Sequence, residues 1–197
     1  MASSTRRAVV ERQTGETHVR LEIDLDGVGR YDIATGIGFL DHMLAQIARH
    51  GAIDLVLRAE GDTHVDLHHT VEDTGIALGE GIRRALGDKR GVSRYGSVAV
   101  PLDEALVQCA LDLSGRPFLA FSVELCGKVG DFDAELVEEF FRALAFNAGV
   151  TLHLTALAGK NTHHLIEACF KAFARALRAA KQVERENGEV PSTKGVL

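Results

Sequence analysis

"ARHGAIDLVL", residues 48–57, has a second copy in the same chain: "FNAGVTLHLT", residues 146–155. Laid over one another, Gly51 falls on Gly149, and each glycine separates an apolar-periodic stretch from an alternating one. A glycine that closes a helical period and is followed by a period-two run is the sequence form of a helix ending and a strand beginning. Ahead of the first copy, "FLDHMLAQIARHG" puts Phe39, Leu40, Met43, Leu44 and Ile47 at helical spacing, and "AELVEEFFRALAFNAG", residues 134–149, does the same ahead of the second. After each copy comes another helix, "HHTVEDTGIALGEGIRRALG" at 68–87 and "HHLIEACFKAFARALRAAK" at 163–181.

Working further outward, both halves begin with alternating runs. In "HVRLEIDLD", Val19, Leu21, Ile23 and Leu25 share one face, and "YDIAT" returns after the turn glycines of "DGVGR". In the second half, "EALVQCALDLSG" and "FLAFSVEL" alternate in the same way. Each half therefore reads strand, strand, helix, strand, helix. Two such units, about 8–92 and 93–187, fill the 197 residues as one domain, with a polar tail at 188–197. Strands with one apolar face need cover on that face only, so the expected fold class is α+β: an internally duplicated unit whose sheets are covered by helices on one face.

The chain is 46% hydrophobic and 25% charged, with a net charge of −6, which is globular composition without the basic stripe of a nucleic-acid binder. No apolar run approaches the roughly 18–20 residues that span a bilayer, and "MASSTRRAVVER" carries no apolar signal core. Cys109, Cys126 and Cys169 are unpatterned, as expected of buried thiols in a reducing compartment. The expectation is a cytoplasmic protein with no nucleic-acid and no membrane partner.

"HHTVE" and "HHLIE" occupy equivalent places in the two halves. On a helix, residues four apart share a face and neighbours diverge by about 100°. His68 therefore converges with Glu72, and His163 with Glu167, while His69 and His164 point elsewhere. One copy reads equally well as a polar helix start, but two copies at matching positions favour metal ligation and suggest a pair of metals. His42 in the first helix of its half lies opposite Glu139 in the second, and both are candidate ligands. Imidazole and carboxylate without thiolate suit manganese, iron or zinc. Arg94, Arg116, Lys171 and the tail run Ser192, Thr193, Lys194 and Gly195 combine cations, hydroxyls and backbone N–H groups, as phosphate pockets do. The alternative for each alone is a turn residue or a solvated charge.

The segments "TGIGFLDHMLAQIARHG", "DLHHTVEDTGIALG", "GDKRGVSRYGSVAVPLDE", "DLSGRPFL", "FFRALAFNAGVTLHL" and "GKNTHHLIEACFKAFARALRAA", in this order, resemble the imidazoleglycerol-phosphate dehydratase family over nearly the whole chain. The resemblance implies a fold like the second domain of ribosomal protein S5 and, as cofactor, two Mn2+ per active site. One metal would be held by His42, His69, His163 and Glu167, the other by His68, Glu72, His164 and Glu139. Some members carry histidine where this chain has Glu139. The resemblance also implies sites shared between subunits, trimers associating into a 24-subunit shell, and a hydro-lyase of histidine biosynthesis. Its reaction turns D-erythro-imidazoleglycerol phosphate into imidazole acetol phosphate by way of a metal-bound imidazolate and a diazafulvene-like intermediate. Glu16 matches an acidic position that handles a proton, and Arg94, Arg116, Lys171 and the "STKG" run would bind the substrate's phosphate. Two other readings share these residues: a metal-dependent hydrolase, and a metal-stabilised shell without turnover.

Overall fold

The computed structural model describes residues 6–184, 188–195 and 197; the remaining residues, including 185–187 at the end of the expected second repeat, lie outside this description. The first half contains β1 (Arg7–Gln13), β2 (Thr17–Asp24), β3 (Tyr31–Ala34), α1 (Gly38–Gly51), β4 (Asp54–Gly61) and α2 (His68–Leu86). The second contains β5 (Tyr95–Leu102), β6 (Ala105–Asp112), β7 (Phe118–Ser122), a small hairpin of β8 (Lys128–Val129) and β9 (Phe132–Asp133), α3 (Leu136–Ala148), β10 (Thr151–Ala158) and α4 (Thr162–Ala180).

The two main sheets have matching order, β1-β2-β4-β3 and β5-β6-β10-β7. In each, the first three strands pair antiparallel and the fourth lies parallel to its neighbour, reached through the first helix of its half. The duplication expected from the sequence is thus present, with one more strand at the front of each unit. β1 and β5 are edge strands with a partner on one side only. β1 buries a single side chain completely, Val10, and β5 contains Pro101, which an edge position tolerates. Burial alternates along both, but β1 buries only Val10 completely and β5 buries no large apolar side chain completely, so the apolar signal in "RAVVERQ" and "YGSVAVPL" is weak. The strand expected over "FLAFSVEL" stops at Ser122, where its pairing with β10 ends at Thr155.

α2 covers β1, β2 and β4, and α4 covers β5 and β6; the helices then pack across the halves, α2 on α3 and α1 on α4. The α2–α3 crossing depends on absent side chains. A Cβ on Gly75 would stand 2.7 Å from the carbonyl oxygen of Phe140, and one on Gly79 would stand 2.5 Å from that of Leu144. Between the helices, Phe140, Phe141, Phe170 and Phe173 are fully buried, with the Phe141 and Phe170 rings 4.8 Å apart. Cys109 and Cys169 are buried, and burial pushes the Cys109 thiol up to about 12, but Cys126 is exposed, against the expectation that all three thiols lie inside.

The structure also corrects the pairing of Gly51 with Gly149. Gly149 is the left-handed cap of α3 (φ 66°), but the corresponding cap of α1 is Ala52 (φ 47°, ψ 53°). Each cap donates its N–H four residues back, Ala52 to Ala48 and Gly149 to Ala145. Ile53 therefore corresponds to Val150, both buried, and Leu55 to Leu152. Gly51 lies inside the helix, where a Cβ would touch the Ala174 carbonyl of α4 at 3.6 Å. That is an ordinary van der Waals distance, so Gly51 is neither the turn residue nor a packing requirement, and the left-handed turn falls to Ala52. The corrected offset keeps His42 opposite Glu139.

Candidate metal centre

α4 starts at Asn161, whose side-chain oxygen accepts the His164 N–H at 3.3 Å and orients the first turn. From there His163 and Glu167 share a face, with His163 Nε2 3.1 Å from Glu167 Oε2. α1 packs on α4 and brings His42 Nε2 to 3.5 Å from the same oxygen. Among the described residues, His42, His163 and Glu167 form the group in which three ligand-type side chains converge, all ligand atoms lying within 4.8 Å of one another. Two imidazoles and one carboxylate are donors for a divalent cation of the manganese, iron or zinc type. Burial alone would raise the Glu167 pKa, but the Lys171 ammonium, 2.6 Å from Oε1, with His163 and His42, holds it below the ordinary value. The carboxylate is thus kept ionised.

At the start of α2, Asp66 Oδ1 accepts the His68 N–H at 2.8 Å. His68 and Glu72 share a face as expected, with Nε2 and Oε2 4.0 Å apart and both side chains about half exposed. His69 turns away. Its Nδ1 meets Asp62 Oδ2 at 3.0 Å, and Glu16 Oε2 stands 3.6 Å from the same nitrogen. The hydrogen bond to Asp62 is the main cause of a raised His69 pKa. In the other half, His164 Nδ1 meets Glu104 Oε2 at 2.7 Å. That bond raises the His164 pKa, and the same bond with the N–H groups of Asn161 and Lys160 lowers Glu104 to about 2.

Each His-His pair therefore splits, as the helical geometry requires. The two four-residue ligand sets do not assemble within one chain. His69 stands outside the His42–His163–Glu167 group, and Glu139 points to Arg142, its Oε2 3.7 Å from Nε.

The expected phosphate residues divide between two places. Arg94, Arg116, Ser192, Thr193 and Lys194 line one cavity of about 880 Å³, together with Tyr95 and Pro191. Gly195 follows with φ 73°, its N–H bonded to the Ser192 carbonyl at 3.0 Å. Arg94 grips Asp112 through Nε at 2.7 Å and Nη2 at 3.1 Å, and donates Nη1 to the Pro191 carbonyl at 2.9 Å. Arg116 is exposed and reaches Asp112 at 3.5 Å. Lys171 does not join this cavity; it stands at the metal cluster against Glu167. Asp62, Glu104 and Asp112, each in contact with an expected site residue, carry no pattern of their own in the sequence. Glu104 has one available signal: it precedes β6 as Glu16 precedes β2.

Fold and site together define a class: duplicated α+β proteins with an imidazole–carboxylate cluster of metal-ligand type at the start of α4, a His–Glu pair at the equivalent place on α2, and a basic cavity beside the C-terminal segment. The chain belongs to the imidazoleglycerol-phosphate dehydratase family, whose sequence profile matches residues 35–177. It is 59% identical over 194 residues to the imidazoleglycerol-phosphate dehydratase of Azorhizobium caulinodans, covering 98% of each chain. It is 58% identical over 193 residues to that of Desulforamulus reducens, again covering 98% of each. The crystal structure of the Staphylococcus aureus imidazoleglycerol-phosphate dehydratase superposes with a TM-score of 0.82 at 42% identity, over 90% of this chain and 99% of that one. That of IGPD from Pyrococcus furiosus gives 0.83 at 37%, over 95% and 100%. No described helix is long and apolar enough to cross a membrane.

Proposed function

We propose that this chain is a cytoplasmic hydro-lyase that removes water from D-erythro-imidazoleglycerol phosphate to give imidazole acetol phosphate in histidine biosynthesis. The observation that carries the reading is the convergence of His42, His163 and Glu167 on one point, in a chain of this family. His42, His69, His163 and Glu167 would hold one Mn2+, and His68, Glu72, His164 and Glu139 a second. When bound, the pair supplies Lewis-acid stabilisation of negative charge on the substrate's imidazole, generally worth several kcal/mol. Because a single chain leaves both sets incomplete, neighbouring copies supply the missing ligands. This supports the reading of trimers joined into a 24-subunit shell, with sites at the joins.

The chain's own groups divide the remaining work. Arg116, Ser192, Thr193, Lys194 and the Gly195 backbone surround the substrate's phosphate, and Arg94 both lines the cavity and holds the tail through Pro191. Lys171 meets the substrate from the metal side. Glu16 moves the proton: Asp62 already satisfies His69 Nδ1, so the exposed Glu16 carboxylate is not consumed by that bond. Supplying the manganese-loaded protein with imidazoleglycerol phosphate tests the assignment. Imidazole acetol phosphate should form with the phosphoester intact. Release of inorganic phosphate alone would point to a hydrolase, and assembly without turnover to a structural shell.

A further inference from the structure

We propose that Glu104 is a positioning residue for metal binding: it fixes His164 in the tautomer that leaves Nε2 bare. This rests on the reading above that His164 ligates a metal. A carboxylate can only accept, so Glu104 Oε2, 2.7 Å from His164 Nδ1, places the ring proton on Nδ1. The lone pair then lies on Nε2, whose nearest acidic neighbour, Asp103 Oδ2, is 3.9 Å away, beyond hydrogen-bond reach. Glu104 is held in this orientation from its other end. Its other oxygen, Oε1, accepts the backbone N–H groups of Asn161 at 2.8 Å and Lys160 at 3.2 Å, just before α4 begins. One side chain thus ties the β5–β6 turn to the start of the helix that carries His163, His164 and Glu167.

The duplication sharpens the assignment. Glu16 and Glu104 each immediately precede the second strand of their half, and each approaches Nδ1 of the second histidine in its own "HH" pair. In the first half Asp62 takes the Nδ1 bond and Glu16 stays at 3.6 Å; in the second, Glu104 takes it directly. The two glutamates have separated in role. One is held for orientation, and the other is left available.

The two oxygens of Glu104 have different partners, so a glutamine substitution has a defined outcome. In Glu104→Gln, the backbone N–H groups of Asn161 and Lys160 still require an acceptor and retain the amide oxygen. The amide NH2 then faces His164 Nδ1 and can only donate. Nδ1 must accept, the proton moves to Nε2, and the ligating lone pair is lost. Glu104→Ala instead lets water meet Nδ1 and leaves both tautomers open, while the two backbone donors lose their acceptor.

Equilibrium binding of Mn2+ to the full-length protein, with thermal melting alongside, tests this. Glu104→Gln should melt near wild type yet weaken one manganese site about 10–100-fold, the usual cost of losing a partner behind a metal-bound histidine. Glu104→Ala should melt lower but weaken that site less. A purely structural glutamate would give the reverse order, with the glutamine variant binding like wild type, and that result overturns the proposal. Wild-type protein that takes up no manganese at all would instead sink the metal reading beneath it.

Discussion

Glu167 Oε2 stands 3.1 Å from Nε2 of His163, one turn earlier on α4, while its other oxygen is held at 2.6 Å by Lys171 one turn later. The carboxylate is thus aimed and kept charged by its own helix, and α1 adds His42 from outside. Glu167→Ala removes the shared point of the cluster. Manganese affinity should fall by more than about 100-fold, beyond the cost of losing a supporting partner. The particle should also become smaller, because the site is proposed to join copies. Metal analysis combined with size-exclusion chromatography reads both; unchanged metal content and unchanged size would remove Glu167 from the ligand set.

The α2–α3 crossing predicts a stability effect unrelated to metal. A methyl at Gly79 meets the Leu144 carbonyl at 2.5 Å and the Ala148 nitrogen at 2.9 Å, both backbone atoms that cannot swing away. Gly79→Ala should destabilise the chain by about 1–3 kcal/mol, as overpacking does, despite alanine's better helix propensity. Chemical denaturation of the two proteins checks the sign; a more stable variant would mean the helices part easily.

Ala52 offers the opposite case. It adopts the left-handed conformation that Gly149 adopts at the matching cap. A left-handed L-residue costs roughly 1–2 kcal/mol, part of which glycine's greater unfolded-state freedom cancels. Ala52→Gly should therefore stabilise by about 1 kcal/mol, read as a higher denaturation midpoint. A lower midpoint would show that the alanine methyl contributes packing that outweighs its backbone cost.

Much of this was legible in advance, and the gaps have physical causes. The inner strands β2, β4, β6 and β10 are half buried, so their alternation is clean, and the paired "HH" runs sit at helix starts where spacing alone sets direction. β1 and β5 leave weaker marks because β1 buries only Val10 completely and the inner face of β5 is largely half-buried. Ala52 was hidden because glycine is the expected turn residue and Gly51 stands next to it, inside the helix. Glu104 and Asp62 were hidden for another reason. Their partners are 60 and 7 residues away, and a single acidic residue in a turn has no period.

Asp54 predicts a pH dependence. Partial burial opposes its ionisation, but the N–H groups of Arg30 and Val28, with the Arg30 guanidinium, bring its carboxyl from 3.8 down to about 2. A folded-state pKa below the unfolded one adds stability that is fully present above the unfolded value and is lost as pH falls through the folded one. The contribution should therefore fade between about pH 4 and pH 2. Asp54→Asn should unfold with a shallower loss of stability across that window than wild type. Parallel slopes in denaturant titrations at several pH values would contradict the assigned hydrogen bonds.

Two metals, held between copies by "HHTVE" and "HHLIE", are proposed to support dehydration of an imidazole phosphate substrate. Manganese content and product identity, measured on the same purified full-length protein before and after chelation, test it most directly. The account predicts two manganese ions per active site and imidazole acetol phosphate as the product. Activity should be lost on chelation and restored when Mn2+ returns. A chelated, metal-free protein with undiminished dehydratase activity would contradict it.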